Sequence, residues 1–250
     1  MGAMTPLLSF ENVSKRYPDG RREVVVLDGA SFELEEGVFI GVWGARRAGK
    51  STLLRLMAGI EQPDTGRVCF AGESTSAMSL SRRERLLRGD IALMASANWH
   101  PTSQETVVDH VALALGSASL PVGEAKRRAR IVLDRVGLGA HADDLTGSLS
   151  LAERMRTMLA RALVREPRLL LVDEPALVPS LVEQDSLYGL LRALALQDGT
   201  TLVVASEEMT PLHGAEVVMS VGDGELCSTD ERGATVRFPG GGAPAGRREP

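Results

Sequence analysis

The stretch Gly44-Ala45-Arg46-Arg47-Ala48-Gly49-Lys50-Ser51 decides most of what this 250-residue chain can be. Its spacing, G-x-x-x-x-G-K-S, is typical of a loop whose successive backbone N–H groups point at the phosphates of a nucleotide. Lys50 is then expected to reach the β- and γ-phosphates, and the Ser51 hydroxyl to ligate Mg²⁺. The alternative is a glycine-rich turn that matches the pattern by accident.

The sequence on either side of this loop predicts the secondary structure that a phosphate site needs. Residues 38–43 are an apolar run that indicates a buried strand, and residues 52–57, which begin with Thr52, have helical spacing. A helix that begins at the loop adds the positive end of its dipole to the N–H groups. This context favours a nucleotide site in which every residue from Gly44 to Thr52 is a candidate contact.

A second candidate feature is a pair of acids at the end of an apolar run. Residues 168–172 predict a strand, and Asp173 and Glu174 follow it directly. In phosphoryl-transfer sites an Asp at such a strand tip holds Mg²⁺, and a neighbouring Glu can take the proton from an attacking water. The alternative is a strand that merely ends in polar residues. Together with the loop around Lys50, the pair favours a magnesium ligand and a general base.

With both motifs the chain resembles an ATP-binding cassette (ABC) ATPase, from about residue 7 to about residue 228. The segments 58–66 and Leu159-Ala160-Arg161-Ala162-Leu163 are also typical of that family. The resemblance implies an α/β fold of the P-loop NTPase type, with a mostly parallel sheet, an antiparallel N-terminal β subdomain and an inserted helical subdomain. It also implies an ATPase that serves a membrane transporter. Residues 81–85 and 132–138 are most similar to the cassettes that drive lipoprotein-export and FtsX-type permeases.

The hydrophobic pattern divides the chain into regions. Strand-like runs fill residues 6–70, among them separate strands at residues 23–27 and 31–34. Helical spacing dominates about residues 79–150, and strands alternate with a helix from residue 168 onward. Such alternation predicts a mostly parallel sheet with ligands at the carboxyl ends of its strands. We therefore expect one ABC domain over residues 1–238, with a helical insertion at about 79–150. The glycine- and proline-rich residues 239–250 are expected to be a disordered tail.

Composition limits the classes of function. The chain is 44% hydrophobic, so it can bury a large core, and its net charge of −5 argues against a nucleic-acid binder. Basic runs at residues 82–88 and 126–130 favour a solvated helix face, with contact to a permease or to lipid headgroups as the alternative. Cys69 and Cys227 suggest no disulfide framework. No signal-like or membrane-spanning run is apparent, so we expect a cytoplasmic protein that reaches the membrane through a partner.

The chain departs from the family at the signature, the L-S-G-G-Q motif with which each cassette closes the phosphate loop of a second cassette. The matching stretch here is Leu149-Ser150-Leu151-Ala152-Glu153, in which Ser150 remains as a candidate nucleotide contact. Glycine lets a helix N-terminus approach phosphate closely, whereas Leu151 is expected to hold the backbone away. Ser-Leu-Ala-Glu is also a capping box. We therefore predict a signature reduced to little more than a helix cap.

Other family positions that sense the γ-phosphate are altered as well. Ser96 stands where the resemblance implies the Q-loop glutamine, Gln104 being too far along, and Ser206 stands where it implies the switch histidine. The D-loop, residues 176–180, lacks its final Asp, and Arg47 replaces a glycine in the phosphate loop. The parts that bind nucleotide are kept and those that cleave it are partly lost. This combination predicts weak hydrolysis although Glu174 is retained.

The aromatic residue and the histidines complete the candidate set. Tyr17 matches the family's aromatic residue that stacks on adenine, and ordinary packing is the alternative. The four histidines share no metal-ligand spacing and are expected on the surface or in helices; they are His100, His110, His141 and His213.

Three functions fit these patterns. The leading hypothesis is the Mg-ATP-binding subunit of a membrane ABC transporter, peripheral on the inner face of the cell membrane. Its implied partners are a polytopic permease, contacted near residues 96–111, and a second cassette. The pair is expected to be a heterodimer, with a homodimer as the alternative. The second hypothesis is a regulatory or mechanotransmitting cassette that acts through a permease-like protein without transport. The third is a soluble ABC protein of DNA repair or translation, which usually carries a second cassette, a coiled coil or a basic face.

Overall fold

The computed structural model describes residues 5–20, 22–95, 101, 104–116, 120–174, 181–228 and 236–237. Ser96, the D-loop residues 176–180 and the tail 239–250 lie outside these residues. The strands, in chain order, are β1 (Leu8–Asp19), β2 (Arg22–Leu34), β3 (Phe39–Trp43), β4 (Thr65–Phe70), β5 (Glu73–Ser74), β6 (Ile91–Ala95), β7 (Leu169–Asp173), β8 (Thr201–Ser206), β9 (Val217–Gly222), β10 (Glu225–Ser228) and β11 (Val236–Arg237).

The helices lie where the apolar spacing predicts them. They are α1 (Lys50–Met57), α2 (Leu80–Arg88), α3 (Val107–Ala112), α4 (Val122–Arg135), α5 (Leu151–Leu163) and α6 (Leu181–Asp198), with short 3₁₀ turns at Leu113–Leu115, Gly139–His141, Thr146–Ser148 and Thr210–Leu212. Within the part of the chain that the structure describes, no helix is long and apolar enough to cross a membrane.

An antiparallel sheet forms the N-terminal part, with strand order β11-β2-β1-β4-β5. The sequence predicted two strands at residues 23–27 and 31–34, and this prediction was wrong because β2 is continuous. Asp28 and Gly29 stand opposite Ser14 alone, since the flanking pairs are Val13 with Ala30 and Lys15 with Leu27. Gly29 has a φ of 66°, which allows such a bulge without interrupting the strand.

The second sheet, with order β10-β9-β3-β8-β7-β6, is parallel except for β10. Trp43 is paired in register with Ser206, and Asp173 with Ala205. The carboxyl ends of β3, β7 and β8 therefore meet at one edge of the sheet. The phosphate loop, the acid pair and Ser206, which are far apart in sequence, are brought to the same place by this register.

The parallel strands are buried on both faces. In β7, Leu170 and Val172 face a core shared with α3, α4 and α5, whereas Leu169 and Leu171 face a second core. The second core contains α1 and joins the two sheets. Burial on both faces explains why these strands are continuous apolar runs in the sequence.

The helical region expected at residues 79–150 contains one strand of the central sheet, because β6 pairs in parallel with β7. Its basic runs make surface ion pairs, among them Arg82 with Glu73 at 3.1 Å and Arg130 with Asp143 at 2.6 Å. These pairs are consistent with solvated helix faces.

Candidate nucleotide site

The loop between β3 and α1 leaves a helix N-terminus open to an anion. Gly49, which precedes α1, has a φ of 107°, and a Cβ there would lie 2.4 Å from Val26 Cγ1. A Cβ at Gly44 would lie 2.6 Å from the carbonyl oxygen of Val221. Both ends of the loop therefore require glycine. Within α1, which is described throughout, no acidic side chain occupies the first turn, so its N–H groups remain available to a phosphate.

Arg47 replaces a family glycine and keeps the backbone conformation that glycine favours. Its φ is 65°, in the left-handed region that glycine adopts freely and that costs other residues roughly 1–2 kcal/mol. The loop thus keeps the glycine conformation with a side chain attached. Arg46 and Arg47 are both exposed and place positive charge beside the phosphate loop.

Lys50 is buried at the centre of the site, with 4% of its surface exposed. Its Nζ donates to the carbonyl oxygens of Gly44 at 3.0 Å and Ala45 at 3.1 Å, and lies 3.0 Å from Glu174 Oε1. The predicted phosphate-binding lysine therefore contacts the predicted general base. A phosphate group that binds Lys50 would have to replace its contacts with Glu174 and the two loop carbonyl oxygens.

The acid pair lies at the tip of β7. Asp173 Oδ1 is buried and makes no hydrogen bond to any residue that the structure describes. Glu174 has a φ of 48°, and its N–H donates to the Ala205 carbonyl oxygen at 3.0 Å, which turns the chain at the sheet edge. A buried carboxylate oxygen without a hydrogen bond fits a cation ligand. Mg²⁺ is usually held by one or two protein oxygens together with phosphates and water, and Ser51 and Asp173 would supply such a pair.

Ser206 lies beside the phosphate loop, at the position that the resemblance implies. Its carbonyl oxygen accepts from the Gly44 N–H at 3.4 Å. Its hydroxyl, however, accepts from the Glu208 N–H at 3.0 Å and so closes a local turn. The serine thus supports the backbone at this position. Gln104 is exposed.

Tyr17 lies beside α1, the helix that follows the phosphate loop. Its hydroxyl donates to the Glu61 carboxylate and lies 3.4 Å from Thr52 Oγ1, while Lys15 Nζ lies 5.4 Å from the ring centroid. Burial, followed by the Glu61 hydrogen bond, raises the pKa of Tyr17. The half-buried ring borders a cavity of about 520 Å³. Adenine stacking on this ring stays a prediction.

The start of α5 is closed by its own side chains. Ser150 Oγ accepts from the Glu153 N–H at 3.3 Å, and the Ser150 N–H donates to Glu153 Oε2 at 2.8 Å. The predicted capping box is therefore confirmed. Hydrogen bonds from the Ser150 backbone and side chain to the Glu153 carboxylate lower the pKa of Glu153, and His141 Nε2 lies 3.7 Å from the same carboxylate. Hydrogen bonding to Asp144 raises the pKa of His141.

Sequence reasoning did not identify three residues that support the site. Glu207 Oε1 lies 3.9 Å from Lys50 Nζ, Glu61 orients Tyr17, and Trp43 Nε1 donates to the Glu207 carbonyl oxygen at 3.1 Å. Glu207 directly follows the switch position, which was the available signal. The side-chain directions that bring these groups together are not visible in the spacing.

Comparison with known proteins agrees with this geometry. The family model described as "ABC transporter" matches residues 27–177. The lipoprotein-releasing system ATP-binding protein LolD of Pseudomonas fluorescens is 32% identical over 220 residues, which cover 88% of this chain and 96% of that protein. The methionine import ATP-binding protein MetN of Caulobacter vibrioides is 38% identical over 207 residues, which cover 81% of this chain and 60% of MetN.

Solved structures show the same fold. A dimeric post-hydrolysis state of the ATP-binding cassette MJ0796, bound to ADP and Pi, has a TM-score of 0.82 at 24% identity, with 91% of this chain and 100% of that chain covered. The cbiO1 protein of Clostridium perfringens, part of the ABC transporter complex cbiONQ, has a TM-score of 0.78 at 25% identity, with 89% and 87% covered. The family match and the LolD relatives together show that this chain belongs to the ABC transporter family, as one of its ATP-binding subunits.

Proposed function

We propose that this subunit binds Mg-ATP and transmits nucleotide-driven dimerisation to a polytopic membrane permease, while its own hydrolysis is weak. The observation that carries the proposal is the difference between two helix ends. The start of α1 has glycines at both ends of its loop and Lys50 beside Glu174 at 3.0 Å. The start of α5 bonds to itself through Ser150 and Glu153.

The residues of the site have distinct parts in binding. Lys50 exchanges its contacts with Glu174 and the loop carbonyls for phosphate oxygens, which frees Glu174 to accept a proton from water. Ser51 and Asp173 would hold Mg²⁺, which would neutralise charge on the phosphates. Tyr17 stacks on adenine. Ser150 serves the nucleotide of the second cassette.

Weak hydrolysis follows from groups that are occupied or replaced. The Ser206 hydroxyl is used in a local turn, and Leu151 and Ala152 stand where the family has glycines. Loss of one preorganised donor typically costs about 10²–10³ in rate, and losses within one unit do not multiply. A heterodimer, in which a second cassette supplies an intact signature, would restore turnover.

The relatives suggest the kind of transport system. LolD and MetN are named for lipoprotein release and methionine import, and this chain spans 96% of the LolD relative but 60% of MetN. The full-length match favours a permease of the lipoprotein-release or FtsX type. The chain would then lie in the cytoplasm, on the inner face of the cell membrane. We assign the permease contact to residues 96–111, of which the structure describes 101 and 104–111, including most of α3.

Substitution of the central lysine tests the nucleotide site. Lys50→Ala should abolish binding of a fluorescent ATP analogue. Lys126→Ala is the matched control, because Lys126 pairs with Asp109 on the surface at 2.6 Å and should leave affinity unchanged. Tyr17→Ala should weaken binding by roughly 1–3 kcal/mol, the value of one stacked base. Equal affinity in Lys50→Ala and wild type would contradict the site.

Crosslinking tests the membrane partner. A photoreactive residue at Asp109 or Leu113 should crosslink in native membranes to a cytoplasmic helix of a polytopic protein, because Leu113 is 64% exposed at the end of α3. Crosslinks only to soluble proteins or nucleic acid would contradict the transporter function. A membrane partner that moves no substrate would favour the regulatory or mechanotransmitting alternative.

A further inference from the structure

A second carboxylate faces the phosphate-binding lysine. Glu207 Oε1 lies 3.9 Å from Lys50 Nζ and directly follows β8, whereas Glu174, which lies 3.0 Å from the same Nζ, directly follows the neighbouring strand β7. Lys50 is 4% exposed, whereas the Glu207 side chain is 46% exposed. The buried Lys50 ammonium group therefore lies near the carboxylates of Glu174 and Glu207, and the Glu207 carboxylate can turn into solvent.

Three backbone contacts fix the position of Glu207. The Ser206 hydroxyl accepts from the Glu208 N–H at 3.0 Å, so the turn carries Glu207 at its apex. Trp43 Nε1 donates to the Glu207 carbonyl oxygen at 3.1 Å, and Gly44 N–H donates to the Ser206 carbonyl oxygen at 3.4 Å. The serine at the switch position thus builds the turn that presents a carboxylate to Lys50.

From this geometry we infer that Glu207 is a specificity-determining residue that competes with the terminal phosphate for Lys50. The inference rests on the proposed function, because it assumes that nucleotide phosphates bind at Lys50. A phosphate that approaches Lys50 must displace or repel the Glu207 carboxylate. ATP carries more negative charge than ADP, so the carboxylate weakens ATP binding more than ADP binding.

The size of the effect follows from exposure. At 3.9 Å the Glu207–Lys50 contact is longer than a hydrogen bond, and the exposed carboxylate is screened by water and salt. Exposed pairs of this kind contribute little, so removal of the charge should tighten ATP binding about three- to fivefold. High salt should reduce that gain.

The experiment compares Glu207→Gln with Glu208→Gln in the full chain. Both substitutions change net charge equally, but only Glu207 faces Lys50, and the Glu208 N–H bond to Ser206 does not involve the Glu208 side chain. Binding of ATP and ADP would be followed by the emission of Trp43 in a Trp99→Phe background, which leaves Trp43 as the one tryptophan of the two in the sequence.

The expected result is tighter ATP binding in Glu207→Gln, with a smaller change for ADP and no change in Glu208→Gln. Unchanged or weaker ATP binding in Glu207→Gln, beside a wild type that binds ATP, would overturn this inference and leave the nucleotide site intact. An equal gain in Glu208→Gln would also overturn it, because the cause would be net charge. Failure of wild type and both variants to bind ATP, measured also with a fluorescent ATP analogue, would overturn the nucleotide site as well.

Discussion

The starts of α1 and α5 use the same physical device in opposite ways. Each is a helix N-terminus whose free N–H groups can bind an anion. In α1 the preceding residue is Gly49, and no acid lies in the first turn. In α5 the preceding Ser150 and the first-turn Glu153 satisfy each other's N–H groups, and a carboxylate is already present. One helix end is open to phosphate, and the other carries its own anion.

On the proposed function, this difference would let a cassette keep nucleotide binding while its own hydrolysis is weakened. A site for nucleotide depends on backbone shape at Gly44 and Gly49, which substitutions would disrupt sterically. A signature that serves another subunit is not needed for the chain's own fold, so α5 can be stabilised locally instead. Changes at the two helix ends should therefore have effects of different kind and size.

The largest effect is expected from Gly49→Ala at the open end. A Cβ would meet Val26 Cγ1 at 2.4 Å, and the φ of 107° is strained for alanine, at about 1–3 kcal/mol. We expect about 3 kcal/mol less stability in urea unfolding and a severe loss of ATP binding. Gly123→Ala in α4 is the control, since a Cβ there meets nothing within 4 Å among the described residues. Equal stability of Gly49→Ala and wild type would show that the loop does not require glycine.

The next effect concerns the N-terminus of α5 and the rate of ATP hydrolysis. The isolated wild type should hydrolyse ATP near background, and Glu174→Gln should change that rate little. Leu151→Gly, Ala152→Gly and Ser206→His together should raise the rate by about tenfold or more. One preorganised donor is typically worth about 10²–10³ in rate, so even partial recovery of one donor would give that gain. Dimer formation must be checked by light scattering.

The same triple variant with Glu174→Gln serves as the control, because the gain must then disappear. A wild type that turns over ATP at an ordinary cassette rate without a partner would falsify weak hydrolysis. It would favour a competent homodimer.

A smaller effect is expected from the cap itself. Ser150→Ala removes the hydroxyl that accepts from the Glu153 N–H, at a cost of about 1 kcal/mol in the free energy of unfolding. Ser150→Asn should retain most of that stability because asparagine also caps helices. If Ser150→Ala is as stable as wild type, the capping box does not stabilise α5.

The sequence predicted the parts of this comparison that depend on local pattern. The loop spacing indicated the site around Lys50, the apolar run before Asp173 indicated a buried strand, and Ser-x-x-Glu indicated the cap at Ser150. It did not predict that Gly29 lets one strand continue, since apolar spacing alone suggested a break. Nor could it predict the Lys50–Glu207 contact, which depends on Trp43 pairing with Ser206 across the sheet.

The smallest effect is a pH dependence of the stability contributed by His141, beside the N-terminus of α5. Hydrogen bonding to Asp144, with Glu153 nearby, raises the pKa of His141 above its usual value of about 6.5. The folded state therefore binds this proton more tightly than the unfolded state. The stability it contributes is fully present below about pH 6.5 and is lost as the pH rises through the folded pKa.

The measurement is urea unfolding of wild type and His141→Gln between about pH 5.5 and 8.5, a range that spans the titration of histidine. The difference in unfolding free energy should be greatest at the acidic end and should decline as His141 loses its proton. Burial lowers the pKa of His110, which has the opposite effect on stability, but His110 is common to both proteins and cancels in the difference. A difference that does not vary with pH would mean that protonation of His141 adds no stability at the N-terminus of α5. Ser150 and Glu153 would then cap this helix without it.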